Sequence, residues 1–164
     1  FFEKNLFNNW FNTYSEVNIN YDELQLFLLE QKFEEADRLT SSYLRKLAGK
    51  LAEKRGYVFY SEVNNISGTD LQTIDRLWNI YSNGRFGFSN QAKILKSVGL
   101  RYESLWPKIG WKKDGLWTRY PNSFCWSLKA PDGHMPLINQ LRGVRLMDSI
   151  LRHPAIAKRH NNIL

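Results

Sequence analysis

FEEADRLTSSYLRKLAGKLAEK, residues 33–54, is the stretch that decides the fold class. Ala36, Thr40, Tyr43, Leu44, Leu47 and Leu51 recur at spacings of three and four, the stripe of an amphipathic helix. Acids cluster in its first turn and Lys/Arg in its later turns, in agreement with the helix dipole. Gly49 weakens or ends the helix, so the tail beyond it is a separate turn.

Helical signals continue on both sides. Upstream, Asn20 can cap YDELQLFLLEQ with Glu23 as its capping-box partner, and Leu24, Phe27 and Leu28 share a face. Residues 1–20 are rich in Asn and Phe without a clean period, and are expected to be the remnant or edge of an upstream helical domain. Downstream, the apolar patch Tyr57–Tyr60 and a polar stretch precede TDLQTIDRLWNIYS, capped by Ser67 or Thr69. Leu71, Ile74, Leu77, Trp78 and Tyr81 make its stripe, and Asn83-Gly84 stops it. Ser89 is expected to cap a shorter helix, NQAKILKSVG. After Gly99 glycine, proline and tryptophan become frequent, with a hairpin signal at Lys113-Asp114-Gly115. A last helix is predicted from about Leu141 to Arg152. The pattern predicts an all-α domain over residues 21–164, with a loop-rich aromatic C-terminal third and a short tail.

The 164 residues suit one domain with one core. Cys125 is the only cysteine, which excludes an intrachain disulfide and a cysteine zinc site, and fits a reducing compartment. No apolar run approaches the roughly 20 residues of a membrane span. The net charge of +7 is uneven: residues 1–82 hold 9 Lys/Arg against 12 Asp/Glu, and residues 83–164 hold 14 against 4. The basic half also carries Trp106, Trp111, Trp117 and Trp126, four of 6 tryptophans. Cations interleaved with aromatics suit a flat anion; core tryptophans beneath a solvated basic face are the plainer alternative.

Catalytic constellations are missing from the sequence. His134, His153 and His160 have no partner at metal-ligand spacing, and His134, beside Gly and Pro, reads as a hydrogen-bonding loop residue. Asp70 and Asp75 are five apart on a helix and do not pair as acid and base. SNGRFGF lacks the Gly-Lys-Ser/Thr ending of a phosphate loop. Arg142 and Arg145, three apart, would project from one helix face and match two carboxylates, unless they are an ordinary surface pair. Met135, Pro136, Leu137 and Ile138 give that pair an apolar approach.

Several motifs in one order resemble a known family. SNGRFGFS (82–89), LWPKIGWK (105–112), LWTRYP (116–121) and APDGHMPLINQLRGVR (130–145), with DLQTIDRLW and FEEADRLT, are similar to the genomes-uncoupled-four family. That family comprises porphyrin-binding regulators of magnesium chelatase in cyanobacteria and plastids, and the likeness covers about residues 21–155. The resemblance implies a compact helical domain with a cupped, loop-rich aromatic face that holds protoporphyrin IX or Mg-protoporphyrin IX without a catalytic residue or a metal site of its own. By the same resemblance Arg142 and Arg145 meet the propionates, while Trp117, Tyr120 and Phe124 line the palm with Leu137 and Ile138. Phe59 and Tyr60 form the opposing wall, and Asn139 holds a water on Mg. It also implies docking on the large subunit of magnesium chelatase, in a plastid or cyanobacterial cytoplasm, partly at photosynthetic membranes. An Asn-, Ile-, Lys- and Phe-rich composition is consistent with an AT-rich plastid genome. Two positions depart from the family pattern: Tyr120 replaces Trp, which keeps an aromatic face, and Ser41 replaces Arg, which removes a charge. A single-stranded nucleic-acid-binding module and an enzyme of tetrapyrroles are the alternatives; the first predicts steep salt dependence, and no acid/base or metal constellation supports the second.

Overall fold

A computed structural model describes residues 13–138 and 144–161. Their order is α1 (Asp22–Leu29), α2 (Phe33–Ala48), α3 (Lys50–Arg55), a 3-10 turn (Tyr60–Asn65), α4 (Gly68–Ile80), α5 (Phe88–Ser97), α6 (Tyr102–Lys108), β1 (Lys112–Lys113), β2 (Leu116–Trp117), α7 (Val144–Leu151) and α8 (Pro154–Asn161). The all-α expectation is met, the one sheet described being the predicted hairpin, where Lys112 pairs Trp117 and Lys113 pairs Leu116.

The stripe of α2 is buried as the spacing demands, through Ala36, Thr40, Tyr43, Leu44 and Leu47. Leu51 is not: it is 73% exposed. Gly49, at φ +117°, turns the chain out of helical register, so α3 aims its residues along a new direction. Phe33 heads α2 against Trp78 of α4, rings stacked at 6.1 Å, with Phe86 edge-on at 5.6 Å. The indole N–H of Trp78 donates to Thr40 Oγ1 at 2.9 Å, and Thr40 donates onward to the Ala36 carbonyl at 2.8 Å. The core thus contains a polar chain that is satisfied at each link.

Two buried carboxylates of α4 organise the chain around it. Asp70 accepts from the Tyr21 hydroxyl at 2.7 Å and from the Glu16 N–H at 3.0 Å, so residues 13–21 are fastened to this helix. Asp75 accepts from both the N–H and the hydroxyl of Ser89. Ser89 is therefore not the cap expected from sequence: α5 begins one residue earlier, and a carboxylate from a neighbouring helix caps its first turn. Ser67 does cap α4, accepting from the Asp70 N–H at 3.3 Å. Asn20 takes the Asp22 N–H at 2.8 Å, without a capping box at α1.

The C-terminal third contains two helices that the sequence patterns did not reveal, α6 and α8, together with a long irregular segment. That segment is held by borrowed hydrogen bonds. Arg85 donates to the carbonyls of Leu128 and Ala130 and pairs with Asp132 at 2.8 Å. Gln91, fully buried, donates to the carbonyls of Gly133 at 3.1 Å and Pro136 at 2.7 Å. Gly87 N–H reaches the Met135 carbonyl at 2.9 Å. The motif SNGRFGF is thus the dock for the irregular chain, which explains its residue types without a phosphate.

Candidate functional site

A concavity of about 1070 Å³ opens between α2, the loop Gly56–Val58, the stretch after β2, residues 137–138 and the start of α7. Such a volume sits at the upper end of small-molecule sites. Leu44, Val58, Phe124, Leu137, Ile138 and Leu146 supply apolar walls, and Tyr57, Trp117 and Tyr120 supply aromatic ones. Arg38, Arg45 and Arg119 line it as well, against one acid, Asp37.

Each wall is fixed by local chemistry. Trp117 leaves the hairpin with 46% of its surface exposed and leans on Trp106 at 5.4 Å, which in turn stacks on buried Trp111 at 5.6 Å. Lys112 lies 5.1 Å from the Trp117 ring. Tyr120 packs edge-on against Phe124 and Trp126, and its hydroxyl accepts from Arg38, which also pairs with Glu34 at 2.7 Å. Burial, first of all, raises the Tyr120 phenol above the ordinary tyrosine value, so it is a neutral hydrogen-bonding group.

Phe124 is backed by His134 at 5.3 Å. His134 is buried; its Nδ1 donates to the Ile109 carbonyl at 2.6 Å and its Nε2 accepts from the Cys125 N–H at 3.3 Å. Burial lowers its pKa, and both ring nitrogens are used, so it is the hydrogen-bonding loop histidine that the sequence suggested.

The loop wall depends on Arg55. Its guanidinium pairs with Glu62 at 2.6 Å, donates to the Tyr57 carbonyl at 3.0 Å and lies 3.8 Å from the Phe59 ring centroid. Glu62 also accepts from the Phe59 N–H at 2.8 Å. Tyr57 and Val58 are thereby presented to the cavity. Phe59 and Tyr60, each about half exposed, stand outside its lining. Arg145, at the mouth of α7, holds its guanidinium 5.4 Å from the Tyr60 ring.

Of the residues singled out from sequence, the structure gathers Trp117, Tyr120, Phe124, Leu137 and Ile138 around one cavity. Arg145 and Tyr60 lie together beside that lining without joining it, as does Phe59 against Tyr57, and Asn139 and Arg142 fall outside the described residues. Sequence reasoning missed Asp37, Arg38 and Arg45 of the α2 wall; it singled out Ser41 for a missing charge and placed Leu44 in the buried stripe. Their signal was present as spacings of three, four and seven along one face of a helix.

Nothing in this lining pairs a nucleophile with a base. Among the described residues no group of three or more His, Cys, Asp or Glu could hold a metal ion, and no helix is long and apolar enough to cross a membrane. What the arrangement offers is apolar and aromatic surface with arginines set among it.

Residues 14–154 match the model of a family described as GUN4-like. A Ycf53-like protein of Synechocystis is 48% identical over 85% of this chain and 60% of its own length. The chloroplastic tetrapyrrole-binding protein of Arabidopsis thaliana is 41% identical over 87% of this chain and 57% of its own. The structure of GUN4 from Chlamydomonas reinhardtii superposes with a TM-score of 0.82 at 40% identity, covering 87% of this chain and 93% of that one. The chain thus spans about three fifths of the length of these curated relatives. The fold, the motif order and the extent of these matches agree: this chain belongs to the GUN4-like family.

Proposed function

We propose that this protein binds protoporphyrin IX and Mg-protoporphyrin IX in the α2–β2 cavity and serves magnesium chelatase as a non-catalytic partner. The observation that carries the reading is the lining itself: apolar and aromatic faces large enough for a macrocycle, with three arginines and a single buried acid. Burying the plate's faces supplies most of the affinity, and rim cations orient its two carboxylates. Micromolar binding needs about −8 kcal/mol, within reach of a few aromatic contacts plus charge-assisted pairs. A relative bearing the name tetrapyrrole-binding protein supports the ligand class. The basic C-terminal half would serve contact with an acidic face of the chelatase's large subunit or an anionic membrane. Arg142 and Arg145 remain the proposed propionate partners, with Asn139 beside the metal.

The test is a titration with protoporphyrin IX, read by tryptophan quenching, at low and high salt. Saturable binding with mild salt dependence is expected, and the Arg142→Ala/Arg145→Ala double variant should bind tenfold or more weakly. Affinity that collapses steeply with salt would instead favour single-stranded nucleic acid. For the chelatase, the expected outcome is faster Mg insertion by the reconstituted enzyme on addition of this protein, and no turnover by the protein alone.

A further inference from the structure

Among the described residues Asp37 is the one acid in the cavity wall, and it is 2% exposed. Its Oδ1 accepts the backbone N–H of Leu137 at 2.7 Å, across 100 residues of sequence. That bond ties α2 to the segment that carries Leu137 and Ile138, two of the apolar wall residues. Among the described residues it is the only hydrogen bond found for this carboxyl, and no cation pairs with it: the neighbouring Arg38 is taken by Glu34 and Tyr120. A buried carboxylate with one hydrogen bond and no salt bridge is costly, and a carboxylic acid is the cheaper occupant.

The charged and titratable groups around it do not reverse this. Glu34 on the same helix disfavours the anion, Arg38 favours it, and the Leu137 N–H favours it. Tyr120, from the stretch after β2, is itself pushed up in part by Asp37. Burial outweighs these, lifting Asp37 to about 7. The neutral acid keeps the Leu137 bond, because its carbonyl oxygen still accepts.

Resting on the porphyrin reading above, we propose that Asp37 is a positioning residue that makes ligand binding proton-linked. With the Asp37 carboxyl neutral the pocket is purely cationic and takes an anionic plate; as that carboxyl ionises, its charge opposes the ligand's carboxylates and the plate is released. Binding therefore takes up a proton, and affinity is greatest on the acid side of neutrality and falls as pH rises. The ligand's own propionates cannot imitate this trend, since they are already ionised throughout that range.

The experiment is a protoporphyrin IX titration at about pH 6.5 and about pH 8.5 with wild type and Asp37→Asn. The wild type should bind roughly tenfold more weakly at the higher pH, the scale expected for one linked proton. The amide retains an acceptor for Leu137 but cannot ionise, so the variant should show a flat profile. Calorimetry of the wild type in two buffers of different ionisation enthalpy gives a readout that needs no variant: proton uptake on binding near pH 7.5, about half a proton or more, is expected. Tight binding with a flat wild-type profile and no proton uptake overturns this proposal alone, as does an Asn variant that keeps the wild-type slope. Absence of saturable binding at either pH overturns the porphyrin reading and this proposal with it.

Discussion

Replacing Trp117 with Ala tests the cavity at one of its open aromatic walls. The indole is 46% exposed, leans on Trp106 and lines the cavity. An aromatic side chain offers 150–250 Å² for burial, so roughly 100 Å² of Trp117 is available to a bound plate. At about 25 cal/mol per Å² this is worth ~2.5 kcal/mol if fully covered, and about half that if the plate meets only one edge. Trp117→Ala should therefore weaken protoporphyrin binding by roughly 10- to 70-fold, and Trp117→Phe by only a few-fold. The assay is Soret absorbance, which does not depend on the tryptophan that has been removed. The fold should tolerate the change, because Trp106 remains stacked on Trp111. An Ala variant with an unaltered melting curve that binds within twofold of wild type would refute the assignment of this wall.

Three further outcomes follow from the packing. Gly87 sits at φ +117°, and a Cβ there would fall 2.7 Å from Asp75 Oδ1, so Gly87→Ala should lower urea stability by about 3 kcal/mol. Thr40→Val strands the buried indole N–H of Trp78 and should cost about 1–3 kcal/mol, whereas Thr40→Ser keeps the hydroxyl; equal urea midpoints for the two variants would contradict the polar chain described for the core. Burial depresses the His134 pKa, so its neutral form favours the folded protein fully above the ordinary histidine value near 6.5, and that contribution is lost as pH falls through the depressed folded value. The urea midpoint should thus decline on acidification below about pH 6.5, with a shallower decline in His134→Gln; identical slopes would exclude the histidine as the cause.

Sequence periodicity read the buried face of α2 well, because burial of an apolar stripe is what spacing encodes. The adjoining face was opaque for the same reason. Arg38 and Arg45 look like a solvated surface until a second wall is brought opposite them, and that wall comes from residues 117–138. Local turn chemistry was equally legible, in the Ser67 cap and the Asp114-Gly115 hairpin. Where a distant group replaced the local one, as Asp75 did at the first turn of α5, the capping signal at Ser89 misled. Pro154 at the first position of α8 resembled loop punctuation, yet a proline is tolerated at a helix's first turn. The apolar patch at residues 57–60 was legible, but which of its side chains line the cavity depends on the grip of Arg55 and Glu62 on the loop, and Tyr57 and Val58 are the ones that do.

The long span of the Asp37–Leu137 bond bears on how the molecule lives. No single stretch of chain can make this cavity; its walls exist only once the first and last thirds have docked. A ligand held there acts as a bolt on the whole domain, adding RT ln(1 + [L]/Kd), about 2.7 kcal/mol at a hundredfold excess over Kd. Proteases that sample the opened chain would meet it less often when such a ligand is plentiful. Cellular abundance of the protein would then track the supply of its ligand.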